Sequence, residues 1–168
     1  MIKYFNIIFV TFFGVGKIKF APGTCTSLIT TIILFYFFHI LNLSNQLILY
    51  ILLIIFFYSF YAVSKYIENC DDKDPKEVVV DEVIGQSIPI YLYEIAHGSV
   101  KIYQENILFY LYIFLLFRFF DIKKPFPVNY FDKKFKNSFG VIFDDVIAGF
   151  YVVLALIIFM IIKSRLYT

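Results

Sequence analysis

Two uncharged apolar runs, set almost end to end, limit what this chain can fold into. Thr26 to Leu43 carries no charge apart from His39, and Gln46 to Val63 carries none. Each is close to the ~20 residues a helix needs to cross a hydrocarbon core. The gap Asn42-Leu43-Ser44-Asn45 is short, polar and free of Lys and Arg, whereas Lys17 and Lys19 precede the first run and Lys65 follows the second. This pattern predicts a helical hairpin near residues 26–63 whose basic ends share one side, cytoplasmic by the positive-inside rule. A third apolar run, Val146 to Ile162, is closed by Lys163 and Arg165. Hydrophobic residues make up 61% of the 168, above the roughly 45–50% of soluble domains. The expected fold is all-α, one helical domain over residues 1–168 with membrane-embedded apolar helices.

The same numbers exclude other classes. A net charge of +2, with no basic stripe and no recognisable motif, argues against a nucleic-acid partner. The lysines sit in short loops, which suits an anionic membrane surface. Cys25 and Cys70 form no CxxC and read as two unpaired thiols. Met1 to Phe13 has Lys3 before an apolar run but no small-residue cleavage pattern after it, so it reads as mature sequence rather than a signal peptide.

Against this background the acids stand out. Asp81 and Glu82 lie in VVVDEVIGQ, Asp121 in RFFDIKKPFP, and Asp144 and Asp145 in DDVIAG. A carboxylate beside apolar surface loses hydration and needs a cation, a proton or hydrogen bonds in return. Five such groups with few basic neighbours suggest a divalent-metal site, and oxygen-only ligands favour Mg²⁺ first and Mn²⁺ second. The plainer readings are ion pairs of Asp81 and Glu82 with Lys76 or Arg118, a helix cap at Asp144, and a structural Arg118–Asp121 pair.

Arg118, Lys123 and Lys124 flank Asp121, and both side-chain types bind phosphate, Arg through a fork and Lys as a point charge. Phe13-Gly14-Val15-Gly16-Lys17 and Ala21-Pro22-Gly23-Thr24 make a Gly-rich start. There Gly23 can expose backbone N–H groups to a phosphate and Thr24 can add a hydroxyl, although the sequence is not a Walker A loop. His39 falls in an apolar run and His97 precedes Gly98 in an expected loop; neither is a catalytic candidate.

Local signals complete the expectation. Cys70 to Pro75 reads as a loop. Pro75-Lys76-Glu77 opens a helix that places positions 78, 81, 82 and 85 on one face. Pro89 predicts a kink or break. Ile107 to Phe120 is short for a crossing and is expected not to cross, since a lone crossing would part Asp81 from Asp121. Lys123 to Val128, with two prolines, must be turned. Lys133, Lys134 and Lys136 form a basic patch.

Four segments in this order, Gly14–Thr24 with APGT, DPKEVVVDEVIGQ, FRFFDIKKPFP and FGVIFDDVIAG, resemble the phosphatidylglycerophosphatase A family over almost the whole chain. Two positions depart from the family pattern: Asn137-Ser138 replaces a glycine pair before FG, and Thr26-Ser27 stands where Gly-Ser or Gly-Thr is usual. The resemblance implies an all-helical, Mg²⁺-dependent lipid phosphatase of the bacterial cytoplasmic membrane. Such an enzyme is multi-pass, has its site on the cytoplasmic side, and converts phosphatidylglycerophosphate and water into phosphatidylglycerol and inorganic phosphate. Asp81, Glu82, Asp121, Asp144 and Asp145 would then ligate metal, one of them serving instead as base or nucleophile. Arg118, Lys123, Lys124, Gly23 and Thr24 would bind the phosphate. The rival readings are a small non-enzymatic membrane transporter or carrier subunit and a phosphatase for another lipid phosphate.

Overall fold

The computed structural model describes residues 2–68, 70, 74–97 and 103–166, with the side chains of 2, 3, 103–105, 131–133 and 166 left aside. Within them the regular structure is helical: α1 (Ile2–Val10), α2 (Pro22–Phe35), α3 (Asn45–Ile67), α4 (Val80–His97), α5 (Tyr103–Lys123), α6 (Val128–Lys134) and α7 (Ser138–Leu166). Part of the expected 70–75 loop (71–73) and the Lys133 side chain of the basic patch fall outside the described residues.

The hairpin forms as the sequence predicts. Pro22 opens α2 at its first turn, where a missing N–H costs nothing. The helix runs on through a π turn over Tyr36–Ile40. Ser44 then caps α3, its hydroxyl accepting the Leu47 N–H at 3.3 Å. The two helices do not simply pack on each other, because α4 packs against both.

Three helices are long and apolar enough to cross a membrane: Pro22–Ile40, Asn45–Ile67 and Ser138–Arg165. Their polarity is arranged for lipid. Along α2 the buried positions are Gly23, Thr26, Ser27, Thr30, Thr31 and Leu34, while Leu28 and Ile32 face outward. Outward apolar residues recur on α3 (Tyr50, Ile54, Phe57) and α7 (Ile157, Ile158, Phe159). Small inward residues let helix backbones approach where apolar surface gains nothing by leaving lipid.

Four expectations need correction. The DEVIGQ helix opens at Val80, not at Pro75. A turn closed by the Val78 N–H on the Pro75 carbonyl, and a Val79 N–H bond to the Val10 carbonyl, hold residues 75–79 out of the helix and tie them to the end of α1. Val78 is therefore not on the face of Asp81, Glu82 and Gly85.

Pro89 does not break α4. Proline removes the N–H that the Gly85 carbonyl would accept. That carbonyl instead faces the Cα of Gly149 on α7, where a built Cβ would lie 2.5 Å from it. A Cβ at Gly85 would in turn come within 2.6 Å of the Asp145 carbonyl. The two glycines thus set the closest crossing of α4 and α7 and cover the orphaned acceptor.

A further correction concerns α5, which is longer than the Ile107–Phe120 expectation; as expected, it is not among the helices long and apolar enough to cross. It returns antiparallel to α4. Tyr110, early in α5, donates to Glu94, late in α4, whereas Arg118 and Lys124 end beside the first turn of α4. Because α4 goes out and α5 comes back, Asp81 and Asp121 share an end of the bundle. His97, expected in a loop, closes α4.

Candidate active site

Four chain segments converge at that end: the start of α2, the first turn of α4, the last turn of α5, and the second turn of α7. Together with residues 74–78 they line a cavity of about 370 Å³. Asp81, Glu82 and Asp145 each bring one carboxylate oxygen to within 4.8 Å of the others. Asp81 and Asp145 are buried. Gly23 makes room for Glu82: a Cβ there would fall 2.0 Å from Glu82 Oε1, so only glycine lets this carboxylate rest against the positive end of α2.

Burial pushes the Asp81 carboxyl well above its usual range, and the charge of Glu82 adds to it. Glu82 is raised as well, by burial first; its hydrogen bond with Asp81 and the charge of Arg118 pull the other way. Asp81 Oδ1 and Glu82 Oε2 are buried without a hydrogen-bond partner. Buried acceptors left open in this way ask for a cation. Three converging carboxylates, two of them with open buried oxygens, fit a metal ion of the oxygen-seeking kind.

The other two acids occupy the same cavity but already hold cations. Arg118 Nη1 pairs with Asp121 Oδ2 at 2.7 Å, and Lys124 Nζ with Asp144 Oδ2 at 2.7 Å. Asp144 Oδ1 also accepts the Asp145 N–H at 3.0 Å. Gly23 and Thr24 line the cavity at the start of α2, whereas Lys123 is exposed and outside the lining. Sequence reasoning noted Ser27 only within the family pattern and missed its contact: it is fully buried and accepts from Arg118 Nη1 at 3.3 Å. Sequence reasoning also missed Asp74, which lines the cavity together with Lys76.

A second polar cluster, also missed, lies at the far end. Glu94 Oε1 meets His39 Nε2 at 3.0 Å and accepts the Tyr110 hydroxyl at 3.0 Å. Glu94 follows Asp81 by thirteen residues on α4, about 20 Å along the axis. This cluster ties together the far ends of α2, α4 and α5.

The chain matches the family model described as "Phosphatidylglycerophosphatase A" over residues 8–160. It is 36% identical over 142 residues to a Haemophilus influenzae protein named phosphatidylglycerophosphatase A, covering 84% of this chain and 80% of that one. It is 33% identical over 154 residues to a Bacteroides thetaiotaomicron protein named as a putative phosphatidylinositol-3-phosphatase, covering 89% of each. No solved structure matches. The family match spans all four segments of the cavity, and the chain belongs to the phosphatidylglycerophosphatase A family.

Proposed function

We infer that the chain is a membrane phosphomonoesterase that hydrolyses phosphatidylglycerophosphate to phosphatidylglycerol and inorganic phosphate, with Mg²⁺ as its metal. The observation that carries this reading is the convergence of Asp81, Glu82 and Asp145 beside Arg118 and Lys124 in one cavity, at the end of apolar helices.

Asp81, Glu82 and Asp145 would hold the ion. When bound, it neutralises phosphoryl charge and acidifies a bound water. Mg²⁺ is preferred to a softer metal because the donors are all carboxylate oxygens. Arg118 and Lys124 hold the non-bridging oxygens of the phosphate, and the N–H groups of Gly23 and Thr24 at the start of α2 add donors. Asp121 and Asp144 keep these two cations in place and remain available, with the other acids, to take a proton. A water oxygen attacks phosphorus and the bond from phosphorus to the glycerol oxygen breaks. The water proton passes to a carboxylate of the cluster, and that carboxylic acid gives it up to the departing glycerol oxygen. Lys123, exposed beside the cavity, faces the headgroup layer.

The reading also gives an orientation. Lys17, Lys19, Lys65, Lys76, Lys123, Lys124, Lys134 and Lys136 flank the cavity end, whereas Lys163 and Arg165 close the opposite end of α7. This excess supports an orientation with the cavity on the cytoplasmic face of a multi-pass protein in the bacterial inner membrane. Acids at helix ends rather than at mid-span favour an interfacial enzyme over a transporter.

A phosphatase for another polyol-linked lipid phosphate is the second reading, favoured by the Bacteroides relative's name. The test is phosphate release in mixed micelles from phosphatidylglycerophosphate and phosphatidylinositol 3-phosphate, with Mg²⁺ and with EDTA. Preferential, Mg²⁺-dependent release from the first substrate is expected. Release from the second alone would reassign the substrate, and release from neither would end the phosphatase reading.

A further inference from the structure

We propose that Ser27, on the apolar hairpin and outside the acidic motifs, is a positioning residue that aims the Arg118 guanidinium at the substrate phosphate. The proposal rests on the reading of Arg118 as a phosphate ligand.

Arg118 Nη1 carries two N–H groups, and two acceptors meet it: Asp121 Oδ2 at 2.7 Å and Ser27 Oγ at 3.3 Å. Neither acceptor uses the side-on edge formed by Nε and Nη2. Nε is buried and has no hydrogen-bond partner, although an unmet buried donor on a charged group is costly. A phosphoryl group entering the cavity that Arg118 lines would supply two oxygens to that edge, the bidentate arrangement that suits guanidinium. Nε is thus a donor left for a phosphate oxygen, and the occupied Nη1 corner is the one that fixes the plane.

Asp121 alone cannot fix that plane. It sits one turn along the same helix as Arg118, so the pair can swing together. Ser27 lies on a different helix, fully buried, and its hydroxyl donates to the Gly23 carbonyl at 2.9 Å. That donation orients an oxygen lone pair toward Nη1. It also links the guanidinium to the backbone of Gly23, the residue that rests against Glu82. One hydroxyl therefore sets the phosphate grip in register with the acidic cluster.

The test is a double-mutant cycle on the full-length protein in detergent, with phosphatidylglycerophosphate as substrate. Ser27→Ala should lower kcat/KM by about tenfold and weaken inhibition by inorganic phosphate in parallel. In an Arg118→Lys background, where the fork is already lost, Ser27→Ala should cost less than about twofold. Ser27→Cys keeps the volume with a weak acceptor and should behave like Ala; wild-type activity in it would mean that packing, not the hydrogen bond, matters. Equal losses from Ser27→Ala in both backgrounds, or no loss in the wild type, would overturn the proposal while leaving the phosphatase reading intact. Near-normal activity of Arg118→Lys would instead overturn the role of Arg118 as phosphate ligand.

Discussion

Gly85→Ala is expected to lower turnover sharply, although it adds only one methyl group and leaves every carboxylate in place. On helix propensity alone the change would stabilise α4 by about 1 kcal/mol. The structure reverses that expectation. A Cβ at Gly85 would stand 2.6 Å from the Asp145 carbonyl and 2.7 Å from the Phe117 ring. Ordinary contact begins at 3.4 Å, so α4 and α7 must part by about 0.8 Å. The ring can rotate, but the carbonyl belongs to the α7 backbone and carries Asp145 with it. Asp145 would then leave the carboxylate set that it forms with Asp81 and Glu82. A displacement near 1 Å at a reacting constellation costs on the order of 100-fold in rate, and overpacking costs about 1–3 kcal/mol in stability. The assay is phosphate release in mixed micelles, paired with thermal unfolding followed by helical circular dichroism. A variant that melts a few degrees lower and loses about two orders of magnitude in kcat fits the argument. Activity within threefold of wild type would show that the crossing does not set the site.

Three further outcomes follow from the geometry. Asp81→Asn and Asp145→Asn should each cut kcat by more than about 100-fold while the helical spectrum is unchanged; near-normal rates in both would remove these two acids from the site. Adding Mg²⁺ or Mn²⁺ to EDTA-treated protein should raise its melting temperature, by about 2.7 kcal/mol of stability at 100 times Kd, and the Asp145→Asn variant should lose most of that shift. An equal shift in the variant would mean that the ion binds elsewhere. Glu94→Gln should lower stability by about 1.5–3 kcal/mol, the usual value of hydrogen bonds to a charged group, with kcat close to wild type because the cluster lies about 20 Å from the cavity; a collapse of kcat without a change in melting would contradict this.

The hairpin and the closing helix were legible because they depend on local composition: uncharged length, a polar gap and Ser44 in capping position. The acidic motifs were legible because Asp81, Glu82, Asp121, Asp144 and Asp145 are costly where they stand. What the sequence could not show was their pairing. The Arg118–Asp121 pair, one turn apart on α5, was among the plain readings, but only tertiary packing decides that Lys124 goes to Asp144, leaving Asp81, Glu82 and Asp145 together. The antiparallel course of α4 and α5 was hidden by Pro89, whose local meaning is a break; the carbonyl it orphans lies against Gly149, sixty residues later. Glu94 was missed although it meets the test applied to the other acids, a lone carboxylate in the apolar run YLYEIA. Ser27 carried a weaker signal, as one of several small polar residues at helical spacing along α2.

Lipid removes much of the force that drives helices together in water, so a bundle like this one must be drawn together by other means. The means are visible: the small polar stripe of α2, the Gly85–Gly149 crossing, the Ser27–Arg118 bond, and the His39–Glu94–Tyr110 cluster at the far end. Three of these four also shape the cavity. Gly23, at the head of the stripe, seats Glu82; Gly85 sets the approach of Asp145; and Ser27 holds Arg118. The residues that permit close helix approach are thus the ones that crowd three carboxylates into a buried space, where without a cation they repel one another. Folding and site formation are then coupled in this bundle. A variant that loosens the cavity end should lose metal-dependent stabilisation before it loses helix, whereas one that loosens the far cluster should lose stability and keep its response to metal.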